Sequence, residues 1–172
     1  EIGVSSDKIV ITNDTITVIG LDAGEYTITI LNNESNLYHK SNDTKTFTVN
    51  KQATSITGSD VSTTYNINKD LVITLKDSNG NVLSGVRVTV DLNGAKTLTT
   101  DENGQVKVST KGLAPKAYTA KITFNGDDNY INSTNDVKVT VKKATPKLTA
   151  KKKTFKTSVK TKKYTIVLQD NT

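Results

Sequence analysis

Apolar and polar residues alternate along several short segments of this chain. In LVITLK (71–76), Leu, Ile and Leu fall on one side of an extended backbone, and Val, Thr and Lys fall on the other. The same alternation, or a weaker form of it, marks six further segments: 53–57, 86–90, 96–100, 106–108, 118–124 and 137–141. Because successive side chains of a β-strand point to opposite faces, this period of two predicts about seven short strands, each with one apolar face.

The composition favours the same secondary structure. Thr (29 residues) and Val (17 residues) are among the most frequent residues, and both are β-branched, which suits a pleated strand better than a helix. Strands with one apolar face bury that face when two sheets pack together. We therefore expect an all-β protein with no significant helix, built as a β-sandwich.

A pattern of the form G-L-x4-Y-x11-Y occurs twice in the chain. Gly20, Leu21, Tyr26 and Tyr38 reappear as Gly112, Leu113, Tyr118 and Tyr130, each pair separated by 92 positions. A second match joins residues 53–77 to residues 144–170, where Leu75 and Asp77 correspond to Leu168 and Asp170 at a separation of 93. Self-similarity at a fixed period is the signature of a tandem array.

The repeat divides the chain into three predicted parts. Residues 53–143 form one complete unit, residues 1–52 are the C-terminal half of a preceding unit, and residues 144–172 are the first strands of a following unit. We expect the chain to be a slice through a longer array. About seven strands in about 90 residues is the size of an immunoglobulin-like Greek-key sandwich, in which Tyr26 and Tyr118 would form tyrosine corners by bonding the backbone just upstream.

Four motifs of the complete unit carry a family resemblance. They are L-x-D-x-x-G-x-x-x-x-G-V-x-V-T-V (75–90), TDENGQV (100–106), KGLAPKAY (111–118) and FNGDDNY (124–130). In this order and spacing they resemble the bacterial and archaeal Ig-like (Big-type) repeats of adhesin-like cell-surface proteins, most closely those of methanogenic archaea. The resemblance implies tandem immunoglobulin-like sandwiches, an extracellular location at the cell surface, and a stalk-like or adhesive role.

Charge is spread unevenly over the three parts. Residues 1–52 carry four lysines and seven acidic residues (−3), residues 53–143 carry +2, and residues 144–172 carry eight lysines and one acidic residue (+7). In the last part the lysines alternate with Thr and apolar residues, which predicts a solvated strand face or edge rather than a nucleic-acid site. No apolar run approaches the roughly 18 residues that a membrane-spanning helix needs.

Two Asp-Asn-Gly segments, DSNGN (77–81) and DENGQ (101–105), begin like calcium loops. A twelve-residue calcium loop needs a bidentate Glu at its last position, but counting from Asp77 and Asp101 gives Val88 and Gly112. Since Asp, Asn and Gly are also the residues of tight turns, we interpret both segments as turns.

Adjacent carboxylates at Asp127 and Asp128 are a weak metal candidate in the loop before the last strand of the complete unit. Side by side, such groups repel each other unless they are solvated or neutralised by a cation. The preceding unit keeps only Glu34 in that loop, which argues against a repeated metal site. The alternative is an ordinary acidic loop, and no cofactor is expected.

An intramolecular isopeptide between Lys69 and Asn135 is a further weak candidate. Both residues are in phase with the inward apolar residues of their strands, as such a bond requires. It also requires a buried acid between them, and Asp91 is out of phase with its strand's apolar face. The alternative is a pair of exposed strand-end residues.

Four N-x-[ST] sequons make Asn13, Asn33, Asn42 and Asn132 glycosylation candidates in an exported protein. Asn33, Asn42 and Asn132 are predicted to lie in loops. Catalysis finds little support, because His39 is the single histidine and no nucleophile motif accompanies it. The chain is not expected to be an enzyme.

Three functions compete. The first is a stalk or spacer in a cell-surface protein, whose partners are neighbouring repeats of the same chain. The second is a subunit of a filament built by head-to-tail strand complementation with adjacent subunits. No residue corresponds to about 80–92 in such a composite, and we therefore favour the slice of a longer array. The third is a module that binds a glycan or another cell-surface ligand.

Overall fold

The computed structural model describes residues 8–12 and 15–170 and contains only strands as regular elements in that part of the chain. The prediction of an all-β protein is confirmed. Four strands precede the complete unit: β1 (Ile9–Thr12), β2 (Thr15–Val18), β3 (Gly24–Asn32) and β4 (Ser41–Val49). Two strands follow it: β13 (Lys147–Ala150) and β14 (Ile166–Gln169). Within the described ranges no helix is long and apolar enough to cross a membrane.

Eight strands make up the complete unit. They are β5 (Thr54–Gly58), β6 (Val61–Thr64), β7 (Asp70–Asp77), β8 (Arg87–Asp91), β9 (Ala95–Thr99), β10 (Gln105–Ser109), β11 (Ala117–Phe124) and β12 (Ser133–Lys142). One sheet has the order β10-β7-β5, and the other has the order β6-β12-β11-β8-β9. Every pairing is antiparallel except that of β6 with β12, which is parallel.

The two sheets enclose a single apolar core. The residues predicted to point inward are buried: Leu71, Ile73 and Leu75 from β7, and Ala120, Ile122 and Phe124 from β11. The core also contains valines of β8, β10 and β12, together with Ile56, Val61, Leu83 and Leu92. Burial of each such side chain contributes about 1.5–3 kcal/mol, so this alternation is what holds the sheets together.

Strand β6 was missed by the sequence pattern, which predicts about seven strands where eight are found. The chain leaves β5 at Gly58 and crosses to the other sheet, where Val61 and Thr63 are buried. Gly58 permits the crossing, because a Cβ there would lie 3.0 Å from the side chain of Val137. The resulting strand order supports the immunoglobulin-like interpretation, which stays a prediction.

The repeat is visible in the strand register. Tyr26 pairs with Phe47 in the β3–β4 hairpin, and Tyr118 pairs with Val139 in β11–β12, so both partners are shifted by 92 positions. In the same way the β5–β7 pair Ile56 with Leu75 recurs in β13–β14 as Leu148 with Leu168. The predicted boundaries at 52/53 and 143/144 agree with these pairings and remain predictions.

The lysine-rich segment differs from the prediction. Residues 151–165 are exposed as predicted, apart from the half-buried Phe155, but they form the loop between β13 and β14 and not a strand face. In the complete unit the corresponding stretch contains β6, which is held by β12.

Candidate functional site

The DSNGN segment is a turn closed by its own first residue. The Oδ1 atom of Asp77 accepts hydrogen bonds from the backbone N–H groups of Asn79 and Asn81, both at 2.9 Å. Its Oδ2 atom accepts one from the Asn81 side-chain amide at 2.9 Å. The Asn81 amide, helped by the backbone donors, lowers the pKa of the Asp77 carboxyl even though burial opposes the shift. Both oxygens therefore serve the turn that carries the chain from β7 to β8.

The DENGQ segment repeats this geometry two loops later, between β9 and β10. Asp101 Oδ1 accepts the backbone N–H groups of Asn103 and Gln105, both at 2.9 Å. Gly104 has a φ of +67°, and a Cβ there would lie 2.8 Å from the carbonyl oxygen of Leu75. The two turns therefore touch, and the second one needs glycine at the point of contact.

The loop containing Asp127 and Asp128 is ordered in a similar way. Asp127 Oδ1 accepts the backbone N–H groups of Asn129 at 2.9 Å and Tyr130 at 2.8 Å, while Asp128 is exposed. The carboxylate of Asp127 thus shapes its own loop. Residues 8–12 and 15–170 contain no group of three or more His, Cys, Asp or Glu side chains placed to hold a metal ion.

This loop carries the contact between the complete unit and the unit before it. The side chain of Asn129 donates from Nδ2 to Asp22 Oδ1 at 2.9 Å and accepts at Oδ1 from the backbone N–H of Ala23 at 2.7 Å. One amide therefore pairs with two groups of the preceding unit, with donor and acceptor both used. We call this arrangement the Asn129 clamp.

The linker between the two units runs beside the same loop. Gln52 donates its backbone N–H to the carbonyl of Asn129 at 2.8 Å and accepts at its own carbonyl from the N–H of Ile131 at 2.8 Å. Lys51 adds a side-chain bond to the carbonyl of Asp127 at 2.6 Å. The linker is thus bonded along the loop through its backbone, which limits the φ/ψ freedom that would let the units swing.

Each of the two copies of the repeat contains a tyrosine corner, and the corner at Tyr26 supports the clamp. Tyr26 donates its hydroxyl to the carbonyl of Asp22 at 2.8 Å, and Tyr118 donates to the carbonyl of Ala114 at 2.9 Å. Each bond spans four residues, as in the tyrosine corner of immunoglobulin-like folds. Because Asp22 is also the partner of Asn129, the corner at Tyr26 fixes the turn that the clamp grips.

Sequence reasoning did not single out Asn129, since its partners lie more than 100 positions away and a lone Asn in an Asp-Asn loop is typical of a turn. In the FNGDDNY motif the two adjacent carboxylates suggest a metal site. The residue between them and Tyr130 makes the long-range contact instead.

The isopeptide candidates are not brought together. Lys69 is exposed, and its Nζ donates to the carbonyl of Ser62 at 3.4 Å, whereas Asn135 donates its amide to the carbonyl of Ile56 at 3.0 Å. Ser62 pairs with Thr140, five residues along β12 from Asn135, which is about 17 Å at a strand's rise per residue. An amide bond between the two side chains needs direct contact, so this geometry speaks against it.

The glycosylation candidates have different surroundings. Asn33 and Asn132 are exposed in loops, as predicted. Asn42 is exposed but lies in β4, paired with Leu31, so its placement in a loop was wrong; the β3–β4 ladder extends through the polar Ser-Asn-Asp run. Asn13 lies outside the described residues. His39 is at the surface, 3.2 Å from Glu34.

No family model matches this chain, and no curated protein matches it. Among solved structures, the chain is similar to domains 4 and 5 of the S-layer protein SbsC, at 18% identity and a TM-score of 0.38, covering 79% of this chain and 66% of that one. It is also similar to domains 1–6 of the surface layer protein SbsC, at 17% identity and a TM-score of 0.39, covering 83% and 20%. The chain thus spans less than two thirds of either structure. At these TM-scores the likeness carries no argument, and the fold and function rest on the residues themselves.

Proposed function

We propose that this chain is a structural segment of an extracellular surface protein, in which tandem sandwich units form a stalk or spacer that takes part in cell attachment. The observation that carries the proposal is the Asn129 clamp. It joins two consecutive units through both atoms of one amide, next to a linker that is itself bonded to the loop. A spacer needs a defined angle between units more than it needs a reactive site.

The physical basis is the loss of freedom at the joint. A linker of a few unbonded residues would let the units rotate, and domain motion is the default when little holds an interface. Each hydrogen bond contributes about 0.5–1.5 kcal/mol net. Two bonds of Asn129 and two backbone bonds of Gln52 act on one joint, so the bonded arrangement is favoured over a freely swinging one.

Small-angle X-ray scattering of the chain tests this proposal. We expect a narrow, elongated distance distribution for the native chain and a broader one for N129A, together with faster hydrogen exchange at the Ala23 amide. N103A is the matched control, since Asn103 is an exposed Asn of a similar turn and its backbone N–H is bonded to Asp101 of the same turn. A compact native particle, or an N129A variant with native scattering and native exchange at Ala23, would refute the clamp as the source of the defined joint.

A further inference from the structure

Four Asn-Gly pairs occur in the sequence, and all of them lie in the complete unit. They are Asn79-Gly80, Asn93-Gly94, Asn103-Gly104 and Asn125-Gly126. An asparagine side chain loses its amide most readily before glycine, because glycine has no Cβ to hinder the backbone nitrogen that attacks it. All four asparagines are exposed, so sequence and exposure alone do not distinguish them.

The hydrogen bonds of the glycine N–H groups do distinguish the four pairs. The N–H groups of Gly80 and Gly104 each donate to the carbonyl oxygen of the aspartate that opens their turn, at 3.1 and 2.9 Å. The N–H of Gly94 donates to Asp91 Oδ1 at 3.2 Å. Each of these three nitrogens is therefore held by a bond that has to break before the nitrogen can attack.

Gly126 is placed differently. It lies between the end of β11 and the turn that Asp127 closes, and its N–H has no hydrogen-bond acceptor among residues 8–12 and 15–170. One hydrogen bond of ordinary net strength slows the attack by about fivefold. The nitrogen of Gly126 is not slowed in this way.

We propose that Asn125 is a site of spontaneous covalent modification, at which the side-chain amide is lost as ammonia. The backbone nitrogen of Gly126 attacks Cγ of Asn125, so that a new C–N bond forms and the Cγ–Nδ2 bond breaks. The leaving nitrogen takes the proton of the Gly126 N–H and departs as ammonia, which leaves a five-membered imide. Solvent water then opens this ring at either carbonyl. The products are aspartate and isoaspartate, in which the backbone runs through Cγ.

The modified residue stands at the start of the loop that carries the Asn129 clamp. Isoaspartate lengthens the backbone by one methylene group next to Gly126, where space is tight. A Cβ on Gly126 would lie 2.7 Å from the carbonyl oxygen of Tyr130. The longer backbone therefore displaces the loop and loosens the clamp as the chain ages. This goes beyond the proposed spacer, because the reaction needs only Asn125, Gly126 and water.

Peptide mass spectrometry of the aged chain tests the site. Samples are incubated at mildly alkaline pH, in buffer and in concentrated urea. In buffer we expect Asn125 to lose its amide about fivefold faster, or more, than Asn79, Asn93 and Asn103. In urea the turn bonds are broken, and we expect similar rates at all four sites. Equal rates in the folded chain would overturn the assignment. So would a preference that persists unchanged in urea, since local sequence and not the fold would then select the site.

Hydrogen exchange at the Ala23 amide, which the clamp protects, measures the effect on the joint. We expect faster exchange in the aged native chain, in proportion to its isoaspartate content. Aged N125Q should keep its initial rate, because glutamine would have to close a larger ring and reacts far more slowly. N125D carries the new charge on an unmodified backbone, and we expect it to exchange like the native chain.

Two results would overturn the effect on the joint. They are native exchange at Ala23 in a chain rich in isoaspartate, and exchange in fresh N125D as fast as in the aged chain, which would assign the effect to charge. N129A tests the clamp separately, so failure of this inference and failure of the spacer proposal are distinguishable.

Discussion

Replacing the same repeat position in two units is the sharpest test of the organisation described above. Ile122 and Ile30 occupy equivalent sites 92 residues apart, yet Ile122 is 0% exposed and Ile30 is 51% exposed. Ile→Ala at a fully buried site costs about 2–5 kcal/mol, because the lost contacts add to the cavity that remains. At a half-exposed site without a covering sheet the cost is within about 0.5 kcal/mol. We expect I122A to destabilise the complete unit by about 3 kcal/mol and I30A to leave it unchanged.

Urea and thermal unfolding followed by circular dichroism measure this difference. For a unit of this size, about 3 kcal/mol corresponds to a fall in Tm of roughly 12–24 °C. I122V serves as the graded control, with an expected loss of about 1 kcal/mol. Equal losses for I122A and I30A would show that both units are complete sandwiches and that the division of the chain into one full and two partial units is wrong.

Two further predictions concern the touching turns. G104A should cost at least about 2 kcal/mol, since it combines an unfavourable positive φ with a clash against the Leu75 carbonyl; G85A, at a similar φ of +71° with open space around it, isolates the first term. D77N should destabilise the protein at pH 7. Because the folded-state pKa of Asp77 is lowered, its contribution is present above the ordinary pKa of about 4 and is lost as the pH falls through the folded value. Urea titrations at pH 7 and pH 2.5 should therefore show the D77N difference shrinking in acid, while exposed D128N shows little difference at either pH.

Much of the sandwich could be predicted because the alternation of apolar and polar residues within each core strand indicates which side chains are buried. Alternation in LVITLK and in AYTAKITF needs no knowledge of the partner strand, and Asp-Asn-Gly turns close through their own side chains. Strand β6 could not be predicted, because its four residues pair in parallel with β12 and that neighbour is more than 70 positions away. The Asn129 clamp could not be predicted either, because the partners of Asn129 are more than 100 positions away in the sequence.

The two copies of the repeat share the tyrosine corner but differ in the residues that the clamp binds. At the positions of Asp22 and Ala23 the complete unit has Ala114 and Pro115, shifted by the same 92 residues. The tyrosine corner survives this change, because it uses a backbone carbonyl that any residue supplies. The clamp does not survive it, since alanine lacks the carboxylate and proline lacks the N–H that Asn129 would need. The contact between units therefore depends on loop residues that differ between the two copies of the repeat, whereas the tyrosine corner is present in both copies.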